Sequence, residues 1–123
     1  MELLVDTSVW VDHLRKDDAL LAEVLSENRV AMHPHILGEI ALGLLKNRRT
    51  VLSLLENLPQ APTATDREVQ TLIERRRLFG RGIGYVDAHL LAAASLAPGL
   101  AIWTRDKRLM GVADDLDLLA DLR

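Results

Sequence analysis

The chain contains no cysteine, which excludes disulfides and thiolate metal sites and suits a reducing compartment. Aromatic residues are scarce: Trp10, Phe79, Tyr85 and Trp103 are too few and too scattered to build a stacking platform for bases. A nucleic-acid partner, if there is one, would be read through its backbone. The opening MELLVD lacks the basic start and long apolar stretch of a signal peptide. The most apolar region, Leu90 to Trp103, is broken by Ser95, Pro98 and Gly99 and is too short to span a bilayer. No membrane partner is expected, and a soluble, cytoplasmic protein is. Internal repeats, low-complexity stretches and linkers are also missing. What is present is 123 residues, 49% of them apolar, enough for one compact domain over residues 1–123. The net charge of −3 argues against a polyanionic partner. Two divalent ions would reverse it to about +1, with the change placed where a phosphate would sit.

Four acids stand out by position. Asp6 ends the apolar run LLV, Glu39 lies in the helical segment ILGEIALG, Asp87 falls in the first turn of an apolar helix, and Asp106 follows the run LAIW. Strand ends of a parallel α/β sheet open onto one edge, the crevice where such folds bind ligands. Carboxylates that converge there repel by roughly 4 kcal/mol per pair at about 4 Å, so they must hold protons or a cation. Oxygen ligands open to substrate on one side suit Mg²⁺ or Mn²⁺. Each acid also has a plainer use. Asp6 and Asp106 would cap the helices that follow them, Asp87 would favour a positive helix end, and Glu39 would face water.

The order of elements supports a shared edge. A strand over Leu3–Val5 precedes a helix to about Lys16 that is capped by Thr7 or Ser8, and a helix over Asp18–Leu25 follows. Arg29–Met32 reads as a strand, and Pro34 starts a helix through Leu45. Val51–Leu58 is helical, and Pro59–Thr65 is a loop or edge strand limited by its prolines. Asp66–Leu78 and Tyr85–Leu96 are helices, joined through Gly80, Gly82 and Gly84. Leu100–Trp103 reads as a central parallel strand. A short helix over Lys107–Val112 and an edge strand over Asp117–Leu119 complete the chain. This alternation specifies a three-layer α/β domain with right-handed crossovers.

Hydroxyls of Thr7, Ser8 and Thr104 stand beside the acids, placed to orient a carboxylate or a water. Asp12 is expected to face solvent. Arg81, Arg105 and Lys107 are the candidate phosphate contacts, because they precede Asp87 or flank Asp106. His33 and His35, with Glu39 one turn beyond, offer an alternative transition-metal site, although no HExxH pattern accompanies them. A phosphoryl-receiving signalling domain is a second alternative. It would need adjacent acids after the first strand, where a single Asp6 is followed by Thr7 and Ser8.

Taken in order, VDTSVWVDHL, ILGEIALG, GIGYVDAHLLAAA and IWTRDKRL resemble the successive motifs of the PIN-domain nucleases, in particular the VapC toxins of bacterial toxin-antitoxin pairs. The resemblance runs over essentially the whole chain. It implies a central parallel sheet of about five strands flanked by helices, and a metal-dependent ribonuclease. Asp6, Glu39 and Asp87 match the three principal metal-binding acids, Asp106 the more variable fourth, and Thr104 the hydroxyl near it. In such a site the metal would polarise the phosphoryl oxygen, activate water and stabilise the departing 3′ oxygen, giving a 5′ phosphate and a 3′ hydroxyl. Asp87 or Asp106 would take the proton of the water. The resemblance also implies an RNA substrate, a homodimer and an antitoxin protein, with promoter DNA reached only through the antitoxin. Trp10, Leu14, Leu21 and Leu25 offer apolar surface for an antitoxin groove, although core packing accounts for most of them. A PIN nuclease of RNA processing without a toxin role is the alternative within the family.

Overall fold

A computed structural model describes residues 2–122. The elements follow the order β1 (Glu2–Val5), α1 (Thr7–Arg15), α2 (Ala19–Ser26), β2 (Val30–Ala31), α3 (Pro34–Ala41), α4 (Arg48–Glu56), α5 (Asp66–Arg76), α6 (Tyr85–Leu96), β3 (Leu100–Trp103) and α7 (Lys107–Asp115). The strands pair in parallel in the order β2-β1-β3. β1 lies in the middle, and Leu3, Leu4 and Val5 are fully buried, which is why it reads as an unbroken apolar run. α6 is buried along most of its length, from Ala88 to Ala94. Among the described residues no helix is long and apolar enough to cross a membrane.

The sheet has three strands among the described residues, where about five were expected. Both missing edges reduce to single parallel pairs, Met32 with Gln60 and Ile102 with Leu119. On the β2 side, Met32 N–H donates to Pro59 O (2.7 Å) and Ala61 N–H to Met32 O (2.8 Å). Pro62 has no N–H to extend that ladder. On the β3 side, the chain turns through Asp117 at φ +60° and meets Ile102 only around Leu119. The five-segment order is present, but its outer members are too short to be strands.

Helix bounds differ in several places: α4 starts at Arg48 rather than Val51 and ends at Glu56 rather than Leu58, and α5 ends at Arg76 rather than Leu78. α3 ends at Ala41, not Leu45, because Arg48 reaches back and donates to the carbonyls of Ala41 (2.5 Å) and Gly43 (3.2 Å). Leu44 is consequently wholly exposed. α7 continues to Asp115, beyond the expected Val112. Of the expected groove residues, Trp10 and Leu21 belong to the core, while Leu14 and Leu25 pack against it half-buried.

Candidate active site

Three of the four acids cap or open helices as their positions suggested, and Glu39 is held by a side-chain hydroxyl. Asp6 continues the sheet by donating its N–H to Trp103 O (2.8 Å), then caps α1. It is only 6% exposed. Its Oδ2 accepts from Ser8 N (3.3 Å), Ser8 Oγ (2.7 Å) and Thr104 Oγ1 (2.9 Å). Each hydroxyl has one proton. Both are spent on Asp6, so the 3.3 Å approach of Ser8 Oγ to Thr104 Oγ1 carries none. Thr104 Oγ1 also accepts from Asp106 N (3.0 Å), which ties two of the acids together through one buried hydroxyl. Thr7 Oγ1 donates to Glu39 Oε1 (2.7 Å), linking α1 to α3.

Asp87 Oδ2 accepts from Gly84 N (3.1 Å) at the start of α6. Asp106 caps α7, its Oδ1 accepting from Arg108 N (2.9 Å) and Leu109 N (3.2 Å). In every case the capping and anchoring bonds fall on one oxygen. Among the described residues, Asp6 Oδ1, Glu39 Oε2, Asp87 Oδ1 and Asp106 Oδ2 accept no hydrogen bond, and none is a buried orphan. The plain reading and the functional one therefore coexist.

Burial raises the Asp87 carboxyl above the usual aspartate range, against the lowering effect of the Gly84 N–H, and the charges of Asp6, Asp106 and Glu39 raise it further. The three other acids thus lie within electrostatic reach of Asp87. As the side chains stand, no group of three or more His, Asp or Glu among the described residues encloses a point where an ion would sit. A cation would have to draw the free oxygens together. The donor set fits one: hard anionic oxygens, each with a free lone-pair face, and a like-charge repulsion that a cation would relieve.

The basic candidates divide. Arg105 donates to Asp12 (2.6 Å) and Asp18, with its guanidinium 5.7 Å over the Trp103 ring, and burial of that charge is offset by the two carboxylates. Asp12 is exposed as expected, yet it serves Arg105. Arg81 pairs with Asp115 (2.7 Å). Lys107 is exposed and forms no ion pair among the described residues. Sequence spacing ranked these three together because the partners of Arg105 and Arg81 lie far away in the chain.

The histidines gather without forming a metal site. The His33, His35 and His89 rings lie 4.5 to 6.5 Å apart, centroid to centroid. His33 Nδ1 accepts the His35 N–H (3.0 Å), which forces its proton onto Nε2 and leaves no lone pair for a metal. Burial, with the charges of His35 and His89 behind it, lowers His33 to about 4. His89 Nε2 lies 3.1 Å from Asp66 Oδ1, which also accepts from Tyr85 OH (2.8 Å). His89, Asp66 and Tyr85 are brought together by the fold, with no spacing signal in the chain to mark them.

A groove of about 500 Å³ lies between α1 and the α3–α4 turn. Val11, Leu14, Ile40, Leu44 and Val51 line it, and Glu39 stands at its wall.

A family model described as PIN domain matches residues 3–115 of the chain. A curated relative, Ribonuclease VapC32 of Mycobacterium tuberculosis (strain CDC 1551 / Oshkosh), is 53% identical over 107 residues, covering 87% of this chain and 86% of the relative. The same name from strain ATCC 25618 / H37Rv matches equally.

Proposed function

The chain belongs to the PIN-domain family and, within it, to the VapC group, and on that premise we propose that it is an endoribonuclease acting as the toxin of a toxin-antitoxin pair. The observation that carries the reading is the set of four carboxylates at the sheet edge, each anchored through one oxygen with the other accepting no hydrogen bond among the described residues. Asp6, Glu39, Asp87 and Asp106 are the proposed metal ligands, through the four oxygens that the fold leaves unengaged. Mg²⁺ or Mn²⁺ is the proposed cofactor, supplying charge that activates water and stabilises the phosphoryl group and the departing 3′ oxygen.

The chain's own groups do the rest. Thr104 and Ser8 fix the Asp6 carboxylate, and Thr104 couples it to the Asp106 backbone. Thr7 holds Glu39 to the start of α1. Asp87 or Asp106 would take the proton from the attacking water. Lys107 supplies a free cation beside Asp106, whereas Arg81 and Arg105 act first as ties between elements.

The relative's name, Ribonuclease VapC32, supports RNA as the substrate and an antitoxin as the partner. The groove walled by Glu39 suits an apolar antitoxin segment, since Leu44 and Val11 line it while exposed and without a core role. A segment seated there would end at the acids. A homodimer is part of the reading, with exposed Leu54, Phe79 and Leu96 as apolar surface for it. DNA would be reached through the antitoxin alone. The family match removes the phosphoryl-receiving alternative.

The test is cleavage of a labelled structured RNA by the purified chain in Mg²⁺ or Mn²⁺, beside a chelator control and Asp6→Asn. Metal-dependent cleavage that disappears in the variant is expected. Cleavage that persists in Asp6→Asn would contradict the site. Growth arrest on expression, relieved by a neighbouring gene product, separates a toxin from an RNA-processing nuclease.

A further inference from the structure

Among the cations near the acidic edge, Arg108 differs from Arg81 and Arg105 in having no carboxylate partner among the described residues. It is exposed, yet it does not wave in solvent. Its side chain lies on the loop before α6 at Gly82, where an added Cβ would come within 2.8 Å of Cδ and 3.2 Å of Nε and Nη1. Gly82 sits at φ +81°, a conformation that side chains rarely adopt. The backbone turn is what calls for glycine there, and its bare face is where the Arg108 side chain rests.

The contact joins two segments of the site. Arg108 N–H donates to Asp106 Oδ1 (2.9 Å), and two residues beyond Gly82 the Gly84 N–H donates to Asp87 Oδ2 (3.1 Å). The Arg81–Asp115 pair straps the same loop to the far end of α7. The guanidinium thus lies against the loop between the segments that carry Asp87 and Asp106, with no carboxylate partner among the described residues. A planar donor fork restrained in this way loses little freedom on meeting a phosphate.

Resting on the nuclease reading above, we propose that Arg108, cradled on the bare face of Gly82, receives an RNA phosphate next to the scissile position. This assigns to Arg108 the binding role that sequence position suggested for Arg81 and Arg105.

Binding of a fluorescently labelled oligouridylate by the full chain, in chelator and across a KCl series, tests it. Arg108→Ala should weaken binding about tenfold. It should also make the dependence of log K on log salt shallower by about 0.7, the share of one single-strand phosphate contact. Arg108→Lys keeps the slope while losing part of the affinity. Gly82→Ala, which pushes the side chain off the loop, falls between wild type and Arg108→Ala. Arg75→Ala, on the outer part of α5, leaves both quantities unchanged. If Arg108→Ala fails to fold, Arg108→Gln carries the same prediction. Wild-type affinity and slope in the alanine or glutamine variant would overturn the proposal, as would a wild type that binds no oligouridylate at low salt. Cleavage assays on the same samples keep the two readings apart. A wild type without metal-dependent cleavage removes the nuclease function, whereas a cleaving wild type beside an unchanged Arg108 variant removes Arg108 alone.

Discussion

The same two helices each carry one acid and one histidine: α3 holds Glu39 and His35, and α6 holds Asp87 and His89. The acids open onto the sheet edge, and the histidines pack against His33, with His89 also against Tyr85. Both regions concentrate titratable groups, yet they have opposite uses for their lone pairs. At the acidic edge each side chain gives one oxygen to the fold and keeps another accessible. In the histidine cluster the atoms left over, His33 Nε2 and His89 Nδ1, are buried without a partner. A cluster becomes a site when its free atoms face outward, not when its residue types are reactive.

The comparison breaks most sharply at Asp6. Asp6→Asn should lower metal-dependent RNA cleavage at least about a hundredfold. It should leave thermal unfolding in chelator nearly unchanged, because the amide oxygen can still accept from Ser8 N and the two hydroxyls. Thr104→Val comes next. Without the hydroxyl shared by Asp6 and the Asp106 backbone, activity should fall about ten- to hundredfold while RNA binding in chelator holds.

The histidine side should respond in stability and not in chemistry. His33 is held at about 4 in the fold against 6.5 when unfolded, so between these values the unfolded chain binds a proton that the fold refuses. Stability is present above 6.5 and is lost as pH falls towards about 4. Urea unfolding across that window should show the loss, and His33→Asn, which can keep the cap to His35 N–H, should flatten it. The smallest effect has the opposite sign. Because the Asp87 carboxyl is raised, its charge opposes folding once pH exceeds its folded value. Asp87→Asn should raise the Tm of the chelated protein by a few degrees at about pH 7. Added Mn²⁺ should raise the wild type and not the variant.

Much of this was legible in the sequence. Apolar runs and caps placed β1, α6 and β3, because these elements are buried through their own composition. Of the four acids, Asp6 and Asp106 stood out at strand ends that share one edge, and Glu39 and Asp87 by their places on apolar helices, while the motif resemblance pointed to the same four. The five-strand sheet that the resemblance implies shrinks to three, because prolines beside Gln60, where a loop was the other expectation, and the Asp117 turn before Leu119 reduce pairing to one residue. The end of α3 was misplaced because Leu44 and Leu45 continue an apolar pattern, while Arg48, seven residues beyond Ala41, takes the carbonyls that the pattern would have extended. Pairing of Arg105 with Asp12 and Asp18, and the seat of Arg108 on Gly82, depend on tertiary contacts that leave no spacing signal. The histidine tautomer was hidden in the same way, since it follows from one backbone N–H in the folded chain.

The central claim is that the accessible oxygens of the acidic edge, and not the histidine nitrogens, hold the metal. Mn²⁺ binding followed by electron paramagnetic resonance on the wild type, Asp6→Asn and His35→Ala tests it most directly. The account predicts that Asp6→Asn binds at least about tenfold more weakly and that His35→Ala binds as the wild type does. Binding that survives in Asp6→Asn and is lost in His35→Ala would contradict it.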